Sequence, residues 1–300
     1  MKKPELILDA GAVLAEGPWW DSDIQRLWWI DGLSEFGRGN DLHCFDPASR
    51  QDKFWHIAKH IGCAIPTKDK RVLLALQDGV YYFDLKTEAL SELSTVEREI
   101  SNNRLNDGKV DSRGRLWFGS MSMTANQPGR KFEVTGSFYS LLKDGTITKF
   151  LDDVGISNGL CWNHNETCLY YVDSTSQCVF AFDFDVEAGL ISNRREIIRI
   201  AKAEGVPDGM CIDTEGKLWV AHFGGGIISR FDPDTGERLE AVSLPCSQVT
   251  SCCFGGPDYS DLYITTASIG LTPSQRMEQP FAGSIFLYRP GVKGMPLNKF

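Results

Sequence analysis

Four acid–glycine or amide–glycine steps stand out along the chain: Glu16-Gly17, Asn106-Asp107-Gly108, Asn158-Gly159 and Asp208-Gly209. Taken singly, each is a favoured turn pair. Taken together, Glu16, Asn158 and Asp208 offer the oxygen ligands that hard divalent cations such as calcium, magnesium or manganese accept, with water or substrate filling the remaining positions. Two carboxylates against one dication leave such a set nearly neutral, which permits burial. Other chemistries are poorly supplied. The five histidines, His43, His56, His60, His164 and His222, show neither HxH nor HExxH spacing. His222, closing "LWVAH", reads as a packed strand-end residue. A serine triad is unsupported: Gly155-Ile156-Ser157-Asn158-Gly159 fits GxSxG as a string, but the runs after it are strand-like, whereas a nucleophile elbow must open a helix. The glycines of "HFGGGI" precede no helix that could cradle a phosphate, so they read as a bend between strands.

Convergence of those residues requires a repeat. Six short runs rich in aromatic and branched residues begin at Leu27, Val72, Leu116, Leu169, Leu218 and Leu262, spaced 44 to 53 residues apart. Each is followed by a second apolar run ("DLHCFDP", "GVYYFDL", "SFYSLL", "CVFAFDF", "IISRFDP", "SIFLYRP"), and usually by a third, more polar one. Three or four antiparallel strands per ~45 residues is the spacing of a propeller blade. The expected fold is therefore all-β, a six-bladed β-propeller with a central channel site, formed by residues 1–300 as one domain. Glu5 to Leu8 is the candidate strand that joins the last blade to the first, hiding edges that would otherwise template pairing. Helical periodicity is confined to a hint around Ile197 to Glu204. The Trp19-Trp20 and Trp28-Trp29 pairs read as inter-blade packing, with one of Trp19 and Trp20 a candidate to line the pocket.

Aligning the repeats separates two kinds of glycine pair. Just before each aromatic run lies a hairpin turn ("DSRGR", "DTEGK" and their equivalents), and Glu215-Gly216 belongs there. Nine to twelve residues before the landmarks lie Glu16-Gly17, Ile61-Gly62, Asn106-Asp107-Gly108, Asn158-Gly159, Asp208-Gly209 and Thr250-Ser251. Equivalent repeat positions sit at equivalent places around the axis, so these residues should rim one mouth of the channel.

Composition narrows the function classes. The net charge is −9 with no basic run, which argues against a nucleic-acid surface. The opening "MKKPELILDAGAVLAEGP" is too interrupted for a signal peptide, and no segment is long and apolar enough to span a bilayer. A cytoplasmic protein is expected, with no membrane partner, as a monomer or weak homo-oligomer. Nine scattered cysteines without a CxxC pair read as reduced thiols rather than a zinc site.

At these residues the chain resembles the senescence-marker-protein/regucalcin/gluconolactonase family of six-bladed propellers. The strings "AEGPWW", "NNRLNDGKVDSRGRLWFGSM", "SNGLCW", "YYVDS", "PDGMCID", "CCFGGPD" and "LYITTA" carry the resemblance over nearly the whole length. It implies a metal-dependent hydrolase that opens a sugar lactone to the acid, using one divalent ion (calcium, zinc, magnesium, manganese or iron). Carried over position by position, the metal ligands fall on Glu16, Asn158 and Asp208, and the substrate contacts on Arg104 and Asn106. Asp208 doubles as the catalytic residue that assists water activation; Asp107 reads as a structural partner of its loop. One departure concerns substrate choice: a glutamate that some members use on sugar hydroxyls falls near Thr124, where Glu133 or Asn126 could take its place. Two alternatives stay open, a non-catalytic calcium-binding or protein-binding propeller and a metal-dependent esterase or phosphotriesterase.

Overall fold

The aromatic run of each repeat must be covered on both faces, since its apolar residues are nearly continuous. Val72–Leu76, Leu116–Ser122 and Cys168–Asp173 are indeed buried throughout. The computed structural model describes residues 3–35, 38–126 and 130–300. Its strands form six four-stranded antiparallel sheets, the expected six-bladed propeller. Blade 1 comprises Ala15–Asp21, Arg26–Glu35, Arg38–Asp46 and Gln51–His56, in that order from the axis outward. The inner strands of blades 2 to 6 are Ile61–Pro66, Asn103–Val110, Ser157–Trp162, Val206–Ile212 and Val249–Gly255. Blade 6 takes its outermost strand from the other end of the chain: Glu5–Leu8 pairs with Ile285–Tyr288, Glu5 opposite Leu287. That is the predicted closure of the ring. Outer strands such as Leu190–Arg199 and Arg238–Ser243 are largely exposed, which accounts for the more polar run ending each repeat.

The core lies between blades. Trp19, Trp28 and Ile30 of blade 1 pack with Val72, Leu74 and Phe83 of blade 2. Trp20 stacks on Tyr263 of blade 6, ring centroids 5.4 Å apart. The tryptophan pairs therefore pack between blades as expected. Hairpin turns are tied by buried carboxylates: Asp111 accepts from Arg115 N and Trp117 Nε1 at 3.0 and 2.9 Å, and Asp213 accepts from Lys217 N and Trp219 Nε1, both at 3.0 Å. Gly216, at φ +75°, has open space around it and is a turn glycine. The "HFGGGI" glycines form the turn between Leu218–Phe223 and Ile227–Phe231. All nine cysteines are free thiols. The helical hint is met in part. Ile197 to Arg199 are strand, and a single 3-10 turn follows at Lys202–Glu204; among the described residues the α-helix is Pro273–Glu278. Its signal was present as a capping box, Thr272 with Gln275.

Every inner strand breaks register at the same level. The ladder shifts between Glu16 and Trp19, Ile61 and Cys63, Leu105 and Gly108, Asn158 and Leu160, Pro207 and Met210, and Val249 and Ser251. A bulge leaves residues unpaired and re-aims their side chains, here at the level of the channel mouth. Pro18 sits inside one bulge, where no ladder donor is needed. Apart from Gly17, which takes a left-handed φ of +54°, these glycines are required by the neighbouring blade more than by strand entry. A Cβ on Gly159 would lie 2.5 Å from Asp208 O and 2.8 Å from Met210 N, and one on Gly62 would lie 2.5 Å from Leu105 O.

Gly159→Ala is therefore expected to cost ~3 kcal/mol, the upper range for overpacking against atoms that cannot move aside. Gly216→Ala should cost about 1 kcal/mol, the left-handed penalty alone. Urea midpoints check both; a Gly159 variant no less stable than the Gly216 variant would contradict the close approach of the inner strands.

Candidate functional site

The bulges bring Glu16, Arg104, Asn106, Asn158 and Asp208 from four blades to one cavity of ≈ 90 Å³ at the upper mouth, the end where the inner strands begin. Leu14, Met121, Ile156, Val206, Phe223 and Ile269 form its apolar collar; none of these was singled out from sequence, because scattered apolar residues carry no local signal. Glu16, Arg104, Asn158 and Asp208 are all buried.

Hydrogen bonds show how each side chain is aimed. Asn158 Nδ2 donates to Ser174 Oγ at 3.1 Å, leaving Asn158 Oδ1 buried with no partner; Asp208 Oδ1 is likewise buried and without a partner. Glu16 Oε2 accepts from Gly17 N at 2.6 Å. A buried oxygen without a donor costs on the order of 1–3 kcal/mol. These two acceptors, one amide and one carboxylate oxygen, beside the second carboxylate of Glu16 fit a cation. Among the described residues no three His, Cys, Asp or Glu side chains gather as a metal-binding group; this set has two carboxylates and an amide.

Arg104 Nη1 donates to Leu105 O at 3.1 Å and to Asn106 Oδ1 at 2.6 Å, while its Nε is buried without a partner. Asn106 Nδ2 donates in turn to Ser157 O at 2.7 Å. Asn106 thus clamps the guanidinium between two blades. Burial and the neighbouring Asp107 push Glu16 up to about 8, against a weaker pull from the Gly17 amide, Arg104 and Lys109. Burial, Glu16 and Asp107 raise Asp208 well above the usual carboxylate range, and burial raises Asp107 despite Lys109 and the Gly108 amide. Burial lowers Arg104 to about 10, although Glu16 and Asp208 oppose the change.

Several readings shift. Asp107 holds Gly108 N at 2.7 Å as a structural partner would, yet it also contributes to the field on Glu16 and Asp208. Lys109, overlooked in the sequence, sits deeper and is half-buried; burial works against its charge, but the nearby thiols and Asp107 outweigh it. Thr124 is buried in its own loop, bonded to Ser122 Oγ at 2.8 Å and to Glu133 N at 3.1 Å. Glu133 is exposed and does not line the cavity, so it does not replace the glutamate; the Asn126 side chain lies outside the described residues. His222 is a fully buried strand-end residue, Nδ1 3.1 Å from Glu204 O, its pKa lowered by burial. Trp19 and Trp20 do not line this cavity. The larger cavity, ≈ 410 Å³, opens at the other end of the channel, away from the carboxylates.

Six bulged inner strands around a buried carboxylate–amide–guanidinium cluster define a six-bladed propeller with a polar site at one mouth of its channel. The sequence profile of the SMP-30/Gluconolactonase/LRE-like region matches residues 14–268, and the chain belongs to that family. It is similar to regucalcin of Danio rerio, 39% identical over 295 residues and covering 98% of this chain and 97% of the relative. It is also similar to a Bacillus subtilis protein provisionally named sugar lactone lactonase YvrE, 36% identical over 278 residues, 93% of this chain and 91% of that one. Among solved structures, a calcium-binding protein, regucalcin, from Agrobacterium tumefaciens superposes with a TM-score of 0.90 at 28% identity, covering 100% of this chain and 98% of that chain.

A raised carboxyl carries a stability consequence. Below pH 4.5, the ordinary value, Glu16 is protonated in folded and unfolded chains alike; between 4.5 and about 8 only the unfolded chain loses the proton, so stability falls as pH rises. With chelator present, Glu16→Gln should melt close to the parent at pH 4.5 and a few degrees above it at pH 8. Parallel melting curves at the two pH values would contradict the buried, charge-crowded placement of Glu16.

Proposed function

We propose that this protein hydrolyses a sugar lactone to its open-chain acid, with Glu16, Asn158 and Asp208 holding one divalent ion: calcium, zinc, magnesium, manganese or iron. The observation carrying the proposal is the pair of buried, partnerless oxygens, Asn158 Oδ1 and Asp208 Oδ1, aimed with Glu16 at one cavity. Membership of a family named for gluconolactonase supports it, as does the lactonase name of the Bacillus subtilis relative. A dication bound there supplies Lewis acidity and a more acidic water.

The chain's own groups do the rest. Asp208 assists by accepting a proton from the attacking water; a carboxylate that also holds a dication is a weak base, so much of that step would rest on the lowered pKa of the water. The water oxygen bonds to the carbonyl carbon, the ring C–O bond breaks, and the proton passes to the departing alkoxide. Arg104 presents its unpartnered Nε–H to a substrate oxygen, where a fixed donor needs no reorganisation as charge develops. Asn106 is a positioning residue that keeps the guanidinium turned inward. The apolar collar excludes water from around these dipoles, which strengthens them. We take residues 1–300 to act as one domain, a cytoplasmic monomer or weak homo-oligomer; no helix among the described residues is long and apolar enough to cross a membrane. The calcium-binding description of the Agrobacterium tumefaciens relative favours a second reading, a calcium-binding scaffold without turnover.

Acid release from a panel of δ- and γ-aldonolactones, with and without chelator, separates the two. Asp208→Ala and Glu16→Gln should each lower turnover at least ~10³-fold and reduce metal retention, in line with the loss of a major electrostatic or catalytic group. Firm metal binding without hydrolysis of any lactone would leave the scaffold reading standing.

Thr124→Ala should stay within about 2-fold of the parent, since its hydroxyl braces the loop and lies off the cavity. A loss of 10-fold or more in kcat/KM would give that loop a part in substrate recognition.

A further inference from the structure

The ≈ 410 Å³ cavity at the lower mouth of the channel has no part in the chemistry above. It is formed where the inner strands end, four residues beyond Asp208 in the case of Ile212, or about 13 Å at the strand rise. Its volume is in the range of small-molecule sites, about 300–1,000 Å³. Three aromatic side chains, Trp19, Trp162 and Phe254, contribute to its walls.

The cavity is half open. Met295, Pro296 and Leu297 form one of its walls, and both ends of that segment are fastened. On one side Gly294 N donates to Tyr259 O at 2.8 Å. On the other, Asn298 Nδ2 donates to Val110 O at 3.3 Å, and Lys299 Nζ reaches Asp21 Oδ1 at 2.8 Å and Asp23 Oδ2 at 2.7 Å. Phe300 is buried beyond them.

One half-buried ammonium lies among the mixed polar and aromatic walls. Lys109 lines the cavity, and among the described residues its Nζ has one hydrogen-bond acceptor, Met210 O at 2.5 Å. An ammonium has three donors, so two N–H groups remain for a ligand. Glu166, the acid on the rim, is engaged by Ser112 through N and Oγ. Lys109 already faces the field of Asp107, and Glu166 adds negative charge at the rim, so the site accommodates at most a singly charged anion; a dianion would leave an excess of negative charge. Aromatic walls favour a flat apolar body stacked against them.

We infer that the lower mouth is a second ligand site, which takes an aromatic or alicyclic monocarboxylate with its carboxylate on Lys109 Nζ and its ring among Trp19, Trp162 and Phe254.

Calorimetric titration of the full chain with 2-naphthoate and with its neutral analogue 2-naphthamide tests this. Saturable one-to-one binding is expected, at least 10-fold tighter for the acid than for the amide. Lys109→Met should bring the two probes to within about 2-fold of each other. Trp162→Phe loses no hydrogen bond, because the indole N–H has no partner, and should weaken both probes by several-fold. Should Lys109→Met fail to fold, the acid-to-amide ratio in the parent and the Trp162→Phe result still decide. Absence of saturable binding, equal affinity for acid and amide in the parent, unchanged affinities in Trp162→Phe, an acid preference that survives in folded Lys109→Met, or competition between naphthoate and a lactone at the upper site would each overturn the inference.

Discussion

Like charges crowded in a dry place are the constraint around which this molecule is organised. Glu16 and Asp208 line the upper cavity, with Asp107 close enough to raise both. Such a cluster is unfavourable on its own account, since desolvation and mutual repulsion both penalise the charged forms. Only a scaffold stabilised elsewhere can hold it. The inter-blade cores supply that stability, and ring closure by Glu5–Leu8 prevents relief of the repulsion by opening a seam.

The surrounding groups moderate the cluster without cancelling it. Arg104 lies on one side, clamped by Asn106, and Lys109 on the other, bonded to Met210 O. Backbone amides of Gly17 and Gly108 cap individual carboxylates. Yet Asn158 Oδ1 and Asp208 Oδ1 remain without donors, so the site keeps its appetite for positive charge. Strain concentrated at a functional site and offset by the rest of the fold is a general pattern, and here its atoms can be named.

Glycine is what lets the ring draw so tight. Where the inner strands of adjacent blades meet, the space beside Gly62 and Gly159 is occupied by the next strand's backbone. At Asn158 and Asp208 the side chain and the glycine after it are therefore one device: the bulge aims the side chain, and the missing Cβ admits the neighbour; Gly17, after Glu16, instead supplies a left-handed φ of +54°. The same strands, followed to their other ends, line a larger chamber around Lys109 with more polar groups on its walls, so one set of six strands builds two unlike environments.

Blade number, the closing strand and the turn role of Glu215-Gly216 were determined by the sequence itself, because strand periodicity and turn chemistry are local and a repeat copies them six times. The placing of Glu16, Asn158 and Asp208 on one rim followed from that same repeat. What depended on tertiary structure is everything that passes between blades. The reason for glycine after Asn158 and Asp208 lies in a strand far away in sequence. The clamp of Asn106 on Arg104 reaches across to Ser157 O, and the charge on Lys109 has meaning only beside a carboxylate and a carbonyl gathered at the axis. The Pro273–Glu278 helix was legible in its capping box but hidden by its single-turn-and-a-half length, too short for periodicity to show. Local propensity writes strands and turns; the fields and close approaches that make a site arise only when distant segments share a few ångströms.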